Sequence, residues 1–144
     1  MSGRIIALDL GRARSGVAVS DPTQTIAQPI DLLPGADAQT FVEQLGGVVA
    51  EYEAERVIVG IPRTMEGRMG EMAQWAEGIR RACERELSVP VEGRDERLST
   101  VSAERAMREA GGRKGGVTSP SDSVAAAVVL QAYLDEQRLR GGRE

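Results

Sequence analysis

Acidic side chains stand at three places in the chain where the neighbouring residues are apolar. Asp9 lies near the end of the run Arg4 Ile5 Ile6 Ala7 Leu8 Asp9 Leu10 Gly11, which reads as a strand buried on both faces. An unpaired carboxylate is costly there, so Asp9 requires a cation, a basic side chain or a phosphate as partner. Alternation sets Ile5, Ala7 and Asp9 on one face and Ile6, Leu8 and Leu10 on the other. Asp122 follows Ser119 Pro120 Ser121, a pattern that caps a helix. The helical period also aligns it with the small apolar stripe Ala125, Ala126, Val129, Ala132 and Tyr133. A helix with such a stripe lies close on a sheet and carries Asp122 towards the strand ends where Asp9 sits. Asp95 and Glu96 close a further short strand, and a bulge at Gly93 would reset the alternation, so the period leaves both open as the third acid. Converging carboxylates repel one another unless a cation intervenes. With oxygen donors alone that cation is a hard one, Mg²⁺ or Mn²⁺.

Composition narrows the chemistry. The 144 residues contain no histidine, one cysteine (Cys83) and one lysine (Lys114). An imidazole base and a histidine metal ligand are therefore excluded, and no internal disulfide can form. Net charge is −4, which argues against a broad basic surface and requires any polyanion to be met locally. No apolar run reaches the roughly 18 residues of a membrane span. No apolar leader precedes the first strand, so the expectation is a cytoplasmic protein without a membrane partner.

The elements that must hold these acids follow from periodicity. Arg4–Leu10, Gly16–Ser20 and Ile26–Leu32 read as an antiparallel meander, with Pro29 marking the third strand as an edge or a bulge. Phe41, Leu45, Val48, Val49 and Tyr52 recur at helical spacing behind the cap residue Asp37. Arg56–Gly60 is a buried strand, and the helix before it implies a crossover and a parallel pairing. The Gly-rich stretch from Gly60 to Gly70 carries Arg63 and Arg68 at the carboxyl end of that strand, where α/β proteins place phosphate-gripping loops. Glu71–Glu86 is a second helix with Met72, Trp75, Ala76, Ile79 and Cys83 on one stripe, which makes Cys83 a core residue. Ser88–Arg94 is a last strand, Ser99 or Thr100 caps a helix, Gly111–Gly116 is a flexible loop with Arg113 and Lys114, and a final helix runs from Ser123 to about Arg138. The expected fold is α/β: a mixed five-stranded sheet, antiparallel meander plus parallel strands, with helices on both faces. Residues 1–138 form one domain and residues 139–144 a flexible tail.

Taken in order, Ile6–Gly11 with Gly16 Val17 Ala18, Ile58–Pro62 with Met65 Glu66 Gly67, Asp95–Thr100, and Asp122 Ser123 before an Ala-rich helix resemble the bacterial YqgF/RuvX family across nearly the whole chain. Asp-Glu-Arg-Leu-Ser-Thr is the most specific piece, whereas the Asp-x-Gly start is shared with actin-like ATPases and sugar kinases. The resemblance implies a ribonuclease H-like fold, with Asp9, Glu96 and Asp122 as the acidic metal-binding and catalytic residues. It also implies a metal-dependent nuclease that matures the 5′ end of the small-subunit (16S) rRNA precursor. Some members are described as Holliday junction resolvases, which would act on four-way DNA as a homodimer. The sequence departs from the family in having Ser119 Pro120 Ser121 before the last acid, where a basic residue often stands, and Ala125 one turn after it, where a fourth acid would be. Arg63, Arg68, Arg97, Arg113 and Lys114 are the expected contacts to structured nucleic acid. From another class, a non-catalytic RNA-binding assembly factor is disfavoured by only four aromatic residues, which leaves few stacking platforms.

Overall fold

Alternation and helical period generate eight elements in the computed structural model, which describes residues 3–35, 37–62, 69–96 and 120–141. They are β1 (Arg4–Asp9), β2 (Arg14–Ser20), β3 (Ala27–Pro34), α1 (Ala38–Tyr52), β4 (Ala54–Ile61), α2 (Glu71–Glu86), β5 (Val91–Asp95) and α3 (Pro120–Gly141). The strands form one five-stranded sheet in the order β3-β2-β1-β4-β5. β1, β2 and β3 pair antiparallel, while β1–β4 and β4–β5 pair parallel. The mixed sheet expected from the sequence is therefore present. Pro29 lies on the edge strand, and next to it the β2–β3 register slips between Val17 and Ala18. Both tolerated places for a strand proline are used at once.

Alternate residues of the central strands feed two separate cores. Ile6, Leu8, Val17, Val57, Val59 and Ile61 point to the side covered by α1 and α2. Ile5, Ala7, Ala18 and Ile58 point to the side covered by Ala126, Leu130, Tyr133 and Leu134 of α3. The stripe predicted for the last helix is largely as observed: Ala125, Ala126, Val129 and Tyr133 are buried. Ala132 is only half-buried, and Leu130 and Leu134 bury instead. The helix continues to Gly141, three residues beyond the end that periodicity suggests.

On the other face, α1 is capped by Asp37, whose carboxylate accepts a 2.8 Å hydrogen bond from the Thr40 backbone N–H, as expected of an N-cap. The stripe of α2 differs from the expectation. Ala73, Ala76, Ile79, Ala82 and Cys83 are buried, Trp75 is half-buried and Met72 is exposed. Alanines let the helix axis approach the sheet closely, and the bulky Trp75 and Met72 are left at the margin. The helix expected after Ser99 and the loop Gly111–Gly116 lie outside the described residues.

Candidate nuclease site at the strand ends

β1 is the central strand of the sheet and delivers Asp9 at its carboxyl end, where the residue is only 5% exposed. Asp9 pairs with Gly16 of β2 and shares the face of Ile5 and Ala7, the face covered by α3. The tight connection that follows depends on Gly11, where a Cβ would stand 2.4 Å from the Arg14 carbonyl oxygen. The Gly11 N–H donates to Ser15 Oγ at 3.2 Å, which fixes the chain as it leaves Asp9.

Glu96 comes from the end of β5. The β4–β5 register runs without interruption from Val57↔Val91 through Val59↔Gly93 to Ile61↔Asp95. Gly93 is therefore no bulge, and alternation continued past Asp95 sends the two acids to opposite sides of the sheet. Asp95 pairs with Ile61 and takes the α1/α2 side, whereas Glu96 takes the Asp9 side and is 5% exposed. Between them stands Gly60. A Cβ on Gly60 would lie 2.8 Å from Glu96 Oε2 and 3.0 Å from its Cγ, so the Glu96 side chain occupies the space that a larger residue would fill. Leu8 pairs with Val59, and continuing that register by one residue sets Asp9 beside Gly60. The Glu96 carboxylate thus lies over a strand that neighbours Asp9 at about one interstrand spacing, roughly 4.8 Å.

Asp122, the third expected acid, stands in the first turn of α3, the helix lying chiefly across β2, β3 and β1. Its side chain lies outside the described residues. Among the described residues no three potential metal-binding side chains form a group. The five expected nucleic-acid contacts, Arg63, Arg68, Arg97, Arg113 and Lys114, also lie outside the described residues.

Two features of the strand ends are not evident from the sequence. Arg94, directly opposite Gly60 in register, is largely buried on the α3 face. Its Nη1 donates to Glu136 Oε1 at 2.9 Å, and its guanidinium stands 5.8 Å from the Tyr133 ring. That hydrogen bond, reinforced by the arginine's charge, lowers the Glu136 carboxyl below its ordinary range, and burial first of all raises the Tyr133 phenol. The pair ties the end of β5 to the helix that carries Asp122. Gly60 itself is legible only once the partners of β4 are known, because its role is to be absent where Glu96 needs room. Cys83 offers no nucleophile: it is fully buried, and desolvation pushes its thiol up to about 11.

Carboxylate oxygens held over bare backbone at adjoining strand ends make a hard, anionic donor set, which fits a divalent cation of the Mg²⁺ class. The donors that could hold one are Asp9 and Glu96, with Asp122 on the covering helix.

Comparison with known proteins identifies the fold and the family. A protein of Thermus thermophilus, RuvC in complex with a Holliday junction substrate, superposes with a TM-score of 0.65 at 17% identity, covering 96% of each chain. A second Thermus thermophilus RuvC structure matches with a TM-score of 0.54 at 16% identity. These likenesses show the ribonuclease H-like fold. In sequence, a protein of Mycobacterium sp. (strain KMS) bearing the name "Putative pre-16S rRNA nuclease" is 43% identical over 138 residues, 94% of this chain and 82% of the relative. A protein of the same name from Mycobacterium tuberculosis (strain ATCC 25618 / H37Rv) is 42% identical over 136 residues, 94% of this chain and 80% of the relative. Residues 3–136 match the family described as RuvX: Holliday junction resolvase. An acid-bearing strand end, a mixed sheet of this order and relatives of this identity over almost the whole length lead to one assignment: the chain belongs to the RuvX family of nucleases.

Proposed function

We propose that this protein is a divalent-metal-dependent phosphodiester hydrolase that matures the 16S rRNA precursor. The observation that carries the reading is the Glu96 carboxylate seated over Gly60 beside Asp9 on the face covered by α3. Asp9, Glu96 and Asp122 would hold Mg²⁺ or Mn²⁺, which acidifies a bound water and neutralises a leaving oxyanion. The chain supplies the rest by position. Asp9 and Glu96 are buried on strand ends, so their carboxylates are kept in place by the sheet and not by flexible loops. Arg63, Arg68, Arg97, Arg113 and Lys114 would grip backbone phosphates, contacts that set register and orientation without reading sequence. No histidine exists to act as base and Cys83 is sealed in the core, and hydrolysis by a metal-activated water needs no protein nucleophile.

The test uses substitutions that keep shape. Asp9→Asn and Asp122→Asn should each abolish Mn²⁺-dependent cleavage of precursor RNA and weaken Mn²⁺ binding, with Asp9→Asn as stable as the parent or more so as carboxylate repulsion is relieved. Ser119→Ala, which removes the cap expected from the sequence, should cost about 1 kcal/mol of stability and leave cleavage intact. Asp122→Asn retaining most of the cleavage would reduce Asp122 to a helix cap and sink its role as ligand. The family description favours a second reading, cleavage of four-way DNA by a symmetric dimer whose two sites face opposite strands. A solution mass together with a side-by-side assay on junction DNA and precursor RNA separates the two.

A further inference from the structure

We infer that Arg12, held on the face of Trp75, is a stacking platform for an unpaired nucleobase of the substrate strand close to the scissile phosphate. The inference rests on the nuclease reading and specifies what its substrate must present: a single-stranded stretch beside the cut.

Trp75 is the only tryptophan in the chain, and it stands half-buried on α2, packed against the rim of the larger core. The Arg12 guanidinium lies 4.7 Å from its ring centroid, within the range of a cation–π contact. Arg12 itself is exposed, and among the described residues that ring is its one partner. A planar cation resting on an aromatic ring presents its other face outward, and nucleobases stack on arginine planes as they do on aromatic rings. Of the remaining rings, Phe41 and Tyr133 are buried, and Tyr52, half-buried as Trp75 is, carries no arginine on its face among the described residues.

The platform is preorganised. It closes over a cleft lined by Leu10, Gly11, Gly35, Phe41 and Trp75. The Arg12 loop is clamped against the end of β3, where Gly35 N–H donates to the Ala13 carbonyl at 2.7 Å and a Cβ on Gly35 would stand 2.2 Å from the Arg12 carbonyl oxygen. Arg12 also follows Asp9 by three residues, so their Cα atoms are at most about 11 Å apart. That span corresponds to about three steps of a stacked strand. A strand with its phosphate at Asp9 and Glu96 can therefore lay a base on Arg12 around the rim of the sheet.

The sole tryptophan reports on its own site. Trp75 emission in metal-free wild-type protein, titrated with a short single-stranded RNA oligonucleotide, should change saturably, and the blunt duplex of the same sequence should leave it unaltered. Arg12→Lys keeps the charge and loses the plane. Both Arg12→Lys and Arg12→Ala should weaken single-strand binding by about 5- to 150-fold, the range that stacking of one base represents. Arg12→Lys should keep the salt dependence of the wild type. Replacing successive nucleotides by abasic ones should cost wild-type affinity at one position and cost Arg12→Ala nothing there. Arg12→Lys binding as the wild type would mean a phosphate contact only. An unchanged Trp75 emission on binding, or a fall in melting temperature with unchanged affinity in Arg12→Ala, would mean a strut between loop and helix; each result overturns the platform. Asp9→Asn, which should bind and shift the emission without cutting, keeps the two readings apart. Cleavage by wild type with Arg12 variants unaffected removes the platform alone, and wild type that neither binds nor cuts RNA removes both.

Discussion

The two faces of the sheet are built from alternate residues of the same strands, yet they have opposite characters. Towards α1 and α2 the strands present Ile6, Leu8, Val17, Val57, Val59 and Ile61, all buried in a large continuous core. Towards α3 they present Ile5, Ala7, Ala18 and Ile58, a smaller cluster, and then Asp9, Gly60 and Glu96 at the ends. Bulk on one face supplies the stability of a sheet whose other face ends in the buried acids Asp9 and Glu96. A shift of one residue separates the two tasks, because side chains in a strand alternate with a period of two.

Leu8 and Asp9 make the sharpest pair, being neighbours in one strand with 0% and 5% exposure. Leu8→Ala should lose about 2–5 kcal/mol of unfolding free energy, the usual cost of truncating a buried leucine, while the cleavage rate per folded molecule stays near that of the parent. This is the reverse of the outcome expected for Asp9→Asn. Denaturant unfolding alongside a single-turnover assay checks it. If Leu8→Ala abolished cleavage in the folded protein, the faces would be coupled and the division of labour wrong.

Gly60→Ala sharpens the comparison on the chemical face alone. The added methyl would stand 2.8 Å from Glu96 Oε2, so the carboxylate must move. Disturbing the seat of a ligand costs about 10- to 100-fold in metal affinity or activity, whereas overpacking costs about 1–3 kcal/mol of stability. Mn²⁺ titration by calorimetry and the cleavage rate should fall together. Parental Mn²⁺ affinity in Gly60→Ala would mean that Glu96 does not need the space over Gly60.

Much of this contrast was legible in the sequence because it depends on local period. Asp9 at the end of an apolar run, the parallel strand after α1 and the close-packing stripe of α3 follow from spacing alone. The side of the sheet taken by Glu96 and by Asp95 did not, since it required the register of β5 on β4, a contact between residues far apart in the chain. Trp75 was misplaced for a related reason. Helical period assigned it to the core, but the alanines of α2 bring the axis so near the sheet that a ring of that size fits only at the rim, where Arg12 covers it. Gly60 carries no signal of its own, because its function lies in the side chain of a neighbour.

The smallest effect tests the opposite end of the sheet. Ser20 closes β2 by accepting from the Ile5 N–H at 2.9 Å, and Asp21 then holds the turn into β3. Its carboxylate accepts from the N–H groups of Ile26 and Thr25, both at 2.8 Å, from that of Thr23 at 3.2 Å, and from the Thr23 hydroxyl. These bonds, that from Ile26 foremost, hold the Asp21 carboxyl well below its ordinary value of 3.8. A depressed folded-state pKa stabilises the protein above the unfolded value, and the contribution is lost as pH falls through the depressed one. Asp21→Asn should therefore melt below the parent at neutral pH, with the deficit narrowing once pH drops under about 4. Cleavage at neutral pH should be unchanged, because this turn lies at the end of β1 remote from Asp9. A deficit that stays constant across the acid range would assign the turn's contribution to shape and not to charge. Altered cleavage would show that the ends of the sheet are not independent, and the separation of stability from chemistry would then hold between faces but not along the strands.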